Sequence, residues 1–188
     1  MKDNVIQIRW HGRGGQGAIT AAKIVANAAF SSGYKGVVMV PTFGTERRGA
    51  PVLTSLKLSR EKIYDLSPIA EPDMVIVLDH SLIEEVDVTN GLKSGGLVVI
   101  NTPRSPSDYN FQNCQVATAD INNIAAEAGL PQGIVNTGII GAFAKASGLL
   151  QKDALVHAIE QEFEGKSPEK NSRAASWAYQ NTLVGEIK

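Results

Sequence analysis

The sequence predicts an α/β protein: a doubly wound, Rossmann-like, mostly parallel sheet with C-terminal helices packed on it. Three observations carry this. Short apolar and β-branched runs alternate with helical patterns up to about residue 120, a glycine cluster from Gly12 to Gly17 joins the first strand to the first helix, and the patterning beyond is helical.

Val5 to Trp10 alternates apolar and polar residues, which predicts a strand over 4–10 ended by the glycine cluster. From Gln16 to about Ser32, Ile19, Ala22, Ile24, Val25, Ala28, Ala29 and Phe30 give a mostly apolar helix, closed by Gly33 as its C′ residue. Gly36 to Val40 is wholly apolar, as in a parallel strand buried on both faces, so the opening unit reads as βαβ. Pro41 to Pro51 is a polar, glycine-containing stretch bounded by prolines, a candidate functional loop. Val52 to Leu58 alternates as a strand, with Arg60-Glu61-Lys62 at a turn before Ile63-Tyr64. Met74 to Leu78 is another buried strand, followed by a short helix from His80 to about Val88. Leu97 to Asn101 follows the turn signal Ser94-Gly95-Gly96, and Val116 to Ala119 is a further strand. Helices are expected from Ile121 to Gly129, Val135 to Ala146, Lys152 to Phe163 and Glu169 to about Leu183, with no strand among them. No repeat or linker divides residues 1–188, so a single domain is expected.

Eighteen Lys and Arg against nineteen Asp and Glu leave a net charge of −1, which argues against a broad footprint for nucleic acid or anionic membrane. No run of about 18 apolar residues and no charged-then-apolar leader are seen, so a cytoplasmic protein is expected. The single cysteine, Cys114, excludes an intramolecular disulfide, a four-Cys zinc site and the thiolate cage of an iron–sulfur cluster. His11 could donate to a phosphate or be satisfied by main chain, while the Asp79-His80 pair, His157, Trp10 and Trp177 read as structural. Lys166, Lys170 and Arg173 read as a solvated face, with Asn171 and Arg173 candidates for partner contact.

Gly12, Gly14 and Gly17 match G-x-G-x-x-G between a strand and a helix, where backbone N–H groups and the helix dipole favour an anion. The acid that ordinarily bonds a dinucleotide's ribose at the end of strand two is missing; Met39-Val40-Pro41-Thr42 stands there. A phosphate site and a structural turn both remain open. The second constellation, Phe43 to Pro51, holds Glu46 beside Arg47 and Arg48, whose planar donors suit phosphates, carboxylates or an acidic partner. Loops after the carboxyl ends of strands line the crevice of an open α/β sheet, so these two loops could meet there.

Together the motifs resemble the gamma subunit of 2-oxoacid:ferredoxin oxidoreductases, the pyruvate synthase family. The resemblance lies in I-R-W-H-G-R-G-G-Q-G-A-I-T-A-A at 8–22 and F-G-T-E-R-R-G-A-P-V at 43–52. It continues through Pro72-Asp73, Asn136-Thr137, Gly141-Ala142 and Asn171-Ser172-Arg173-Ala174 to Tyr179. It implies a complex with alpha, beta and delta-type subunits that decarboxylates a 2-oxoacid on thiamine diphosphate and Mg, passes electrons through iron–sulfur clusters to ferredoxin, and forms an acyl-CoA. This chain would bind none of these cofactors alone and would be inactive alone; it carries neither a Gly-Asp-Gly thiamine motif nor cluster cysteines. Gly12, Arg13, Gly14, Gly15, Gln16 and Gly17, with Thr45, Glu46, Arg47 and Arg48, are the residues expected to help close the coenzyme A site, Arg13, Arg47 and Arg48 supplying its positive charge. The Glu46-Arg47-Arg48-Gly49-Ala50-Pro51 form resembles pyruvate-type chains, with 2-oxoisovalerate and 2-oxoglutarate left open. Rival readings are a stand-alone NAD(P) oxidoreductase and a purely architectural subunit. An interface exposed on the isolated chain would favour a homodimer.

Overall fold

Ile8 and Trp10, both wholly buried, occupy alternate positions of β1 (Ile6–Arg13), the strand around which the sheet is laid. The computed structural model describes residues 5–41 and 49–187. On one side β1 pairs antiparallel with β3 (Pro51–Ser59), which in turn carries β2 (Gly36–Pro41) at the edge. On the other it pairs parallel with β4 (Met74–Val77), followed by β5 (Gly96–Asn101) and β6 (Cys114–Ala119), also parallel. A two-residue strand, β7 (Leu183–Val184), closes the far edge antiparallel to β6. The sheet order is β2-β3-β1-β4-β5-β6-β7.

The predicted fold class stands: an α/β sheet with a parallel centre and C-terminal helices packed on it. Its two faces are covered unequally. On one lie α1 (Ala18–Ser31), α3 (Ile121–Glu127), α4 (Asn136–Ser147), α5 (Lys152–Glu162) and α6 (Pro168–Asn181), in mutual contact over Ile8, Trp10, Leu56, Ile76 and Val99. On the other, Val75, Val77, Val98, Ile100 and Val116 are covered by Val88, Tyr109 and the residues around them, with only the one-turn α2 (Leu82–Glu85) and a 3-10 turn at Pro106–Asp108 as helix. Small side chains make the thicker layer possible. Ala21, Ala22, Ala28 and Ala29 bury one side of α1, and α1 ends as expected, with Gly33 N–H donating to Phe30 O and Tyr34 N–H to Ala29 O. Gly141 lets α4 lie directly on α6, because a Cβ there would collide with the Ala175 carbonyl oxygen.

Several expectations need correction. β2 is not buried on both faces; it is an edge strand of half-buried residues. The opening βαβ is split, because antiparallel β3 sits between β1 and β2. β1 runs on through Gly12 and Arg13, held by the pairing of Gly12 with Val52 and Arg13 with Pro51. The helix expected over 80–88 is a single turn, because Val86 is extended and Asp87 Oδ1 accepts from the Thr89 amide and hydroxyl, an Asx-type turn that stops propagation. The last helix stops at Asn181, where Thr182 Oγ1 donates back to Ala178 O at 2.6 Å and the chain leaves into β7, a strand the helical patterning hid.

Replacing Gly141 by Ala forces α4 and α6 apart. Chemical denaturation is expected to show a loss of about 1–3 kcal/mol, the usual cost of overpacking a close-packed contact.

Candidate functional site

The sheet splits at β1 and β4: from β1 the chain turns to β2 and β3 on one side, and from β4 it continues to β5 and β6 on the other. In open α/β sheets the crevice beyond the carboxyl ends of such strands is where ligands bind. Here it is framed by the glycine loop after β1 and by residues 78–85 after β4, joined by Leu78 N–H donating to His11 O at 2.8 Å.

Arg13 lies at the centre of this edge. Its Nε donates to Asp79 Oδ2 at 3.1 Å, Nη1 to Gly49 O at 3.2 Å and to Glu85, and Nη2 to Ser81 Oγ at 2.7 Å and to Glu85 Oε1. All five guanidinium N–H groups are thus engaged within the chain, so its charge is already matched by Asp79 and Glu85. The Glu85 hydrogen bond chiefly raises the Arg13 pKa. Asp79 in turn accepts from the Ser81 amide and hydroxyl, from Arg13, and from Gln16 Nε2 at 3.0 Å. Burial alone would raise its pKa, but the Ser81 and Gln16 hydrogen bonds and the Arg13 charge outweigh it and hold the carboxyl below its usual value. Gln16 also folds back to accept from Arg13 N–H at 2.8 Å, closing the loop on itself.

The glycine loop is tied to the chain that follows the second motif. Gly14 N–H donates to Ala50 O at 2.8 Å and Gly49 N–H to Gly14 O at 3.1 Å. The Gly14 amide is therefore occupied, whereas α1 starts at Gly17, in the left-handed region with φ of +80°, with no side-chain cap. Thr45, Glu46, Arg47 and Arg48 lie outside the described residues; the flanks, Pro41 at the end of β2 and Gly49-Ala50 before β3, bring that segment's two ends to the same sheet region. The place next to β1 that a ribose-binding strand would occupy belongs to antiparallel β3, which leaves the NAD(P) reading without its second element.

A family model for pyruvate ferredoxin/flavodoxin oxidoreductase matches residues 7–181. The chain belongs to this family. It is 47% identical over 188 residues to the pyruvate/ketoisovalerate oxidoreductases common subunit gamma of Thermococcus kodakarensis, covering 97% of this chain and all of that one. It is 45% identical to pyruvate synthase subunit PorC of Methanothermobacter marburgensis, over 94% of this chain and 97% of that one. The crystal structure of pyruvate oxidoreductase subunit PORC from Thermotoga maritima superposes with a TM-score of 0.83 at 29% identity, covering 98% of this chain and 100% of that one.

The other stretches that carried the resemblance to gamma subunits fall into place in the fold. Asn136 and Thr137 open α4 beside Gly17; Thr137 Oγ1 donates to Asn171 Oδ1 at 3.3 Å, and Asn171 Nδ2 donates to Ser167 O, so the first turns of α4 and α6 are clasped together. Asn171 is 3% exposed and internal, which corrects its expected role in partner contact, while Arg173 is exposed beside the Trp177 ring. Asp79, paired with His80 in the sequence as a structural residue, anchors this edge together with Ser81 and Glu85, for which the sequence signal is an Asp-x-Ser turn directly after a buried strand. Asn101, not singled out by its sequence context, donates its side chain to Leu78 O and accepts from Ile121 N–H, stapling the end of β4 to the start of α3. His80 lines a separate cavity of about 210 Å³ with Ile83, Glu84, Arg104 and Phe111. Trp10 packs on Phe143, His157 is exposed next to Gln161, and buried Cys114 has its pKa raised by burial. Among the described residues no group of three or more His, Cys, Asp or Glu could hold a metal, and no helix is long and apolar enough to cross a membrane. Cys114, opening a strand inside the thinner layer, does not fit an iron–sulfur cluster.

His11 is neutral: its Nε2 accepts from Arg9 Nε at 3.1 Å, which leaves the proton on Nδ1. Burial, and then the Arg9 charge, lower its pKa from 6.5 to about 4. The unfolded chain takes up this proton first, so stability is complete above pH 6.5 and falls as pH drops from about 6.5 to about 4. Between pH 7.5 and 5, denaturant titrations of wild type should show a loss on the order of 1–2 kcal/mol beyond that of His11→Gln.

Proposed function

We propose that this chain is the gamma subunit of a multi-subunit pyruvate-type 2-oxoacid:ferredoxin oxidoreductase, working in the cytoplasm with alpha, beta and delta-type subunits. In this reading thiamine diphosphate and Mg on neighbouring subunits carry the decarboxylation, their iron–sulfur clusters pass electrons to ferredoxin, and the acyl group leaves on coenzyme A. The chain described above supplies one wall of the coenzyme A site. The observation that carries this is the hydrogen-bonded junction of Gly14 with Gly49 and Ala50, which joins the glycine loop to the flank of the Glu46-Arg47-Arg48 segment at the point where the sheet splits. With Arg9 buried and donating to His11, Val88 O and Asn90 O, and Arg13 spent on Asp79 and Glu85, Arg47 and Arg48 are the arginines left in the two motifs to meet phosphate charge.

Pyruvate is the favoured substrate, and the relative from Thermococcus kodakarensis is named as common to pyruvate and ketoisovalerate enzymes. That sharing supports a division of labour in which the pocket for the oxoacid side chain belongs to other subunits. The internal saturation of Arg13 also favours a second reading, an architectural subunit whose motifs only hold interfaces.

The two readings separate on the complex carrying Arg47→Ala with Arg48→Ala. A coenzyme A role raises KM for coenzyme A about tenfold or more, leaving KM for pyruvate unchanged. Unchanged coenzyme A dependence in a fully assembled complex would overturn that role, and failed assembly would support the architectural one.

A further inference from the structure

The turn after β4 serves two neighbourhoods. Asp79, Ser81 and Glu85 hold Arg13 and with it the glycine loop. His80, Ile83 and Glu84 line instead the cavity of about 210 Å³ that the chain after β5 closes with Arg104, Tyr109 and Phe111. This cavity lies beyond the carboxyl ends of two adjacent parallel strands, β4 and β5, on the side of an open α/β sheet where ligands are taken. None of its lining residues belongs to either sequence motif.

The wall contributed by the chain after β5 is fixed in place. Asp108 Oδ2 accepts from Ser105 N–H at 2.9 Å, closing a capping box on the 3-10 turn at Pro106–Asp108. Tyr109 Oη donates to Thr102 Oγ1 at 3.0 Å, and the Tyr109 ring stacks on that of Phe111 with centroids 5.8 Å apart. Thr102 Oγ1 also accepts from Arg104 N–H at 3.2 Å, which anchors the backbone of the arginine beside this wall. Ile83 and Phe111 are half-buried and pack on the core of the thinner layer, so the cavity has an anchored apolar floor.

Around that floor stand opposite charges that do not meet. Among the described residues neither the Arg104 guanidinium nor the Glu84 carboxylate has a hydrogen-bond or ion-pair partner, although both line the one cavity. A ligand with only negative charge would leave Glu84 unmatched and be repelled by it; one with only positive charge would do the same to Arg104. A molecule carrying both charges satisfies both groups at once: the planar fork of Arg104 suits a carboxylate, the Glu84 oxygens accept from an ammonium, and Ile83 and Phe111 receive an apolar side chain.

We propose that this cavity binds a free α-amino acid with a small apolar side chain. Glu84 and Glu85 share the single turn of α2, so a ligand held by Glu84 bears on the same turn that holds Arg13, and the cavity is an effector site for the glycine-loop edge. The site does not depend on the coenzyme A reading, because it uses neither motif to bind.

The test is a titration of the ¹⁵N-labelled full chain with L-valine and L-alanine, and separately with isovalerate and isobutylamine, which keep the valine side chain but lack the ammonium or the carboxylate. L-Valine is expected to shift the Ile83, Glu84, Arg104 and Phe111 amides saturably, together with the Arg13 Nε–H signal, and each half-ligand to bind about tenfold or more weakly than valine. Arg104→Gln and Glu84→Gln should each weaken valine binding about tenfold or more with Tm unchanged, since both side chains are exposed. Arg104→Gln should leave isobutylamine binding as it was, and Glu84→Gln that of isovalerate. The absence of saturable shifts at these amides, valine binding that neither variant weakens, or isovalerate or isobutylamine binding as tightly as valine overturns the inference. Shifts confined to the cavity, with Arg13 Nε–H unmoved, overturn the effector role.

Discussion

The Arg13–Asp79 pair holds the functional edge of this molecule together. A strand that ends in glycines has little to fix its direction, since Gly14, Gly15 and Gly17 bring no side chains to pack. Arg13 compensates by reaching across the split in the sheet to Asp79, Ser81 and Glu85 and back to Gly49, so a single side chain ties its own strand to two other segments. Its carboxylate partner is saturated in turn by Ser81 and Gln16. Breaking such a network leaves charged groups without partners at a site only about a fifth exposed, which costs more than the network contributes when whole. The shape of the glycine loop, the approach of Gly49 and Ala50, and the start of α1 all follow from it.

Behind that edge, the helical layer is pressed onto the sheet by small residues. The alanines of α1 and the glycine at the α4–α6 crossing set distances that larger side chains would not allow. The Thr137–Asn171 clasp then fixes where α4 begins, and with it the position of Asn136 against Gly17. Packing deep in the helical layer thus determines where the starts of α1 and α4 meet at its rim.

Much of this was legible from residue patterns, for identifiable reasons. The alternation of β1, the glycine spacing and the apolar stripe of α1 are local signals, and local structure followed them closely. The place of β2 was not legible, because a run such as Val37-Val38-Met39-Val40 reads alike in a sheet centre and at an edge. Nor was the insertion of β3 beside β1, since strand order is decided by partners far along the chain. Arg13 lies at this edge, but a sequence shows a charge without showing what neutralises it; Asp79 and Glu85 stand 66 and 72 residues away. Asn136 belongs to a stretch that carries the family resemblance, while its place against Gly17 became visible only in the fold.

The central position of β1 has a consequence for how the molecule comes to exist. Among the described strands β1 precedes both of its neighbours in the chain, β3 from residue 51 and β4 from residue 74. Its stabilising contacts are therefore long-range, and loop closure must be met before they form. The ion-pair cluster closes across the same gap. Until the chain has passed Val77, β1 lacks at least one of its two neighbours, and the cluster closes only once Glu85 has been made.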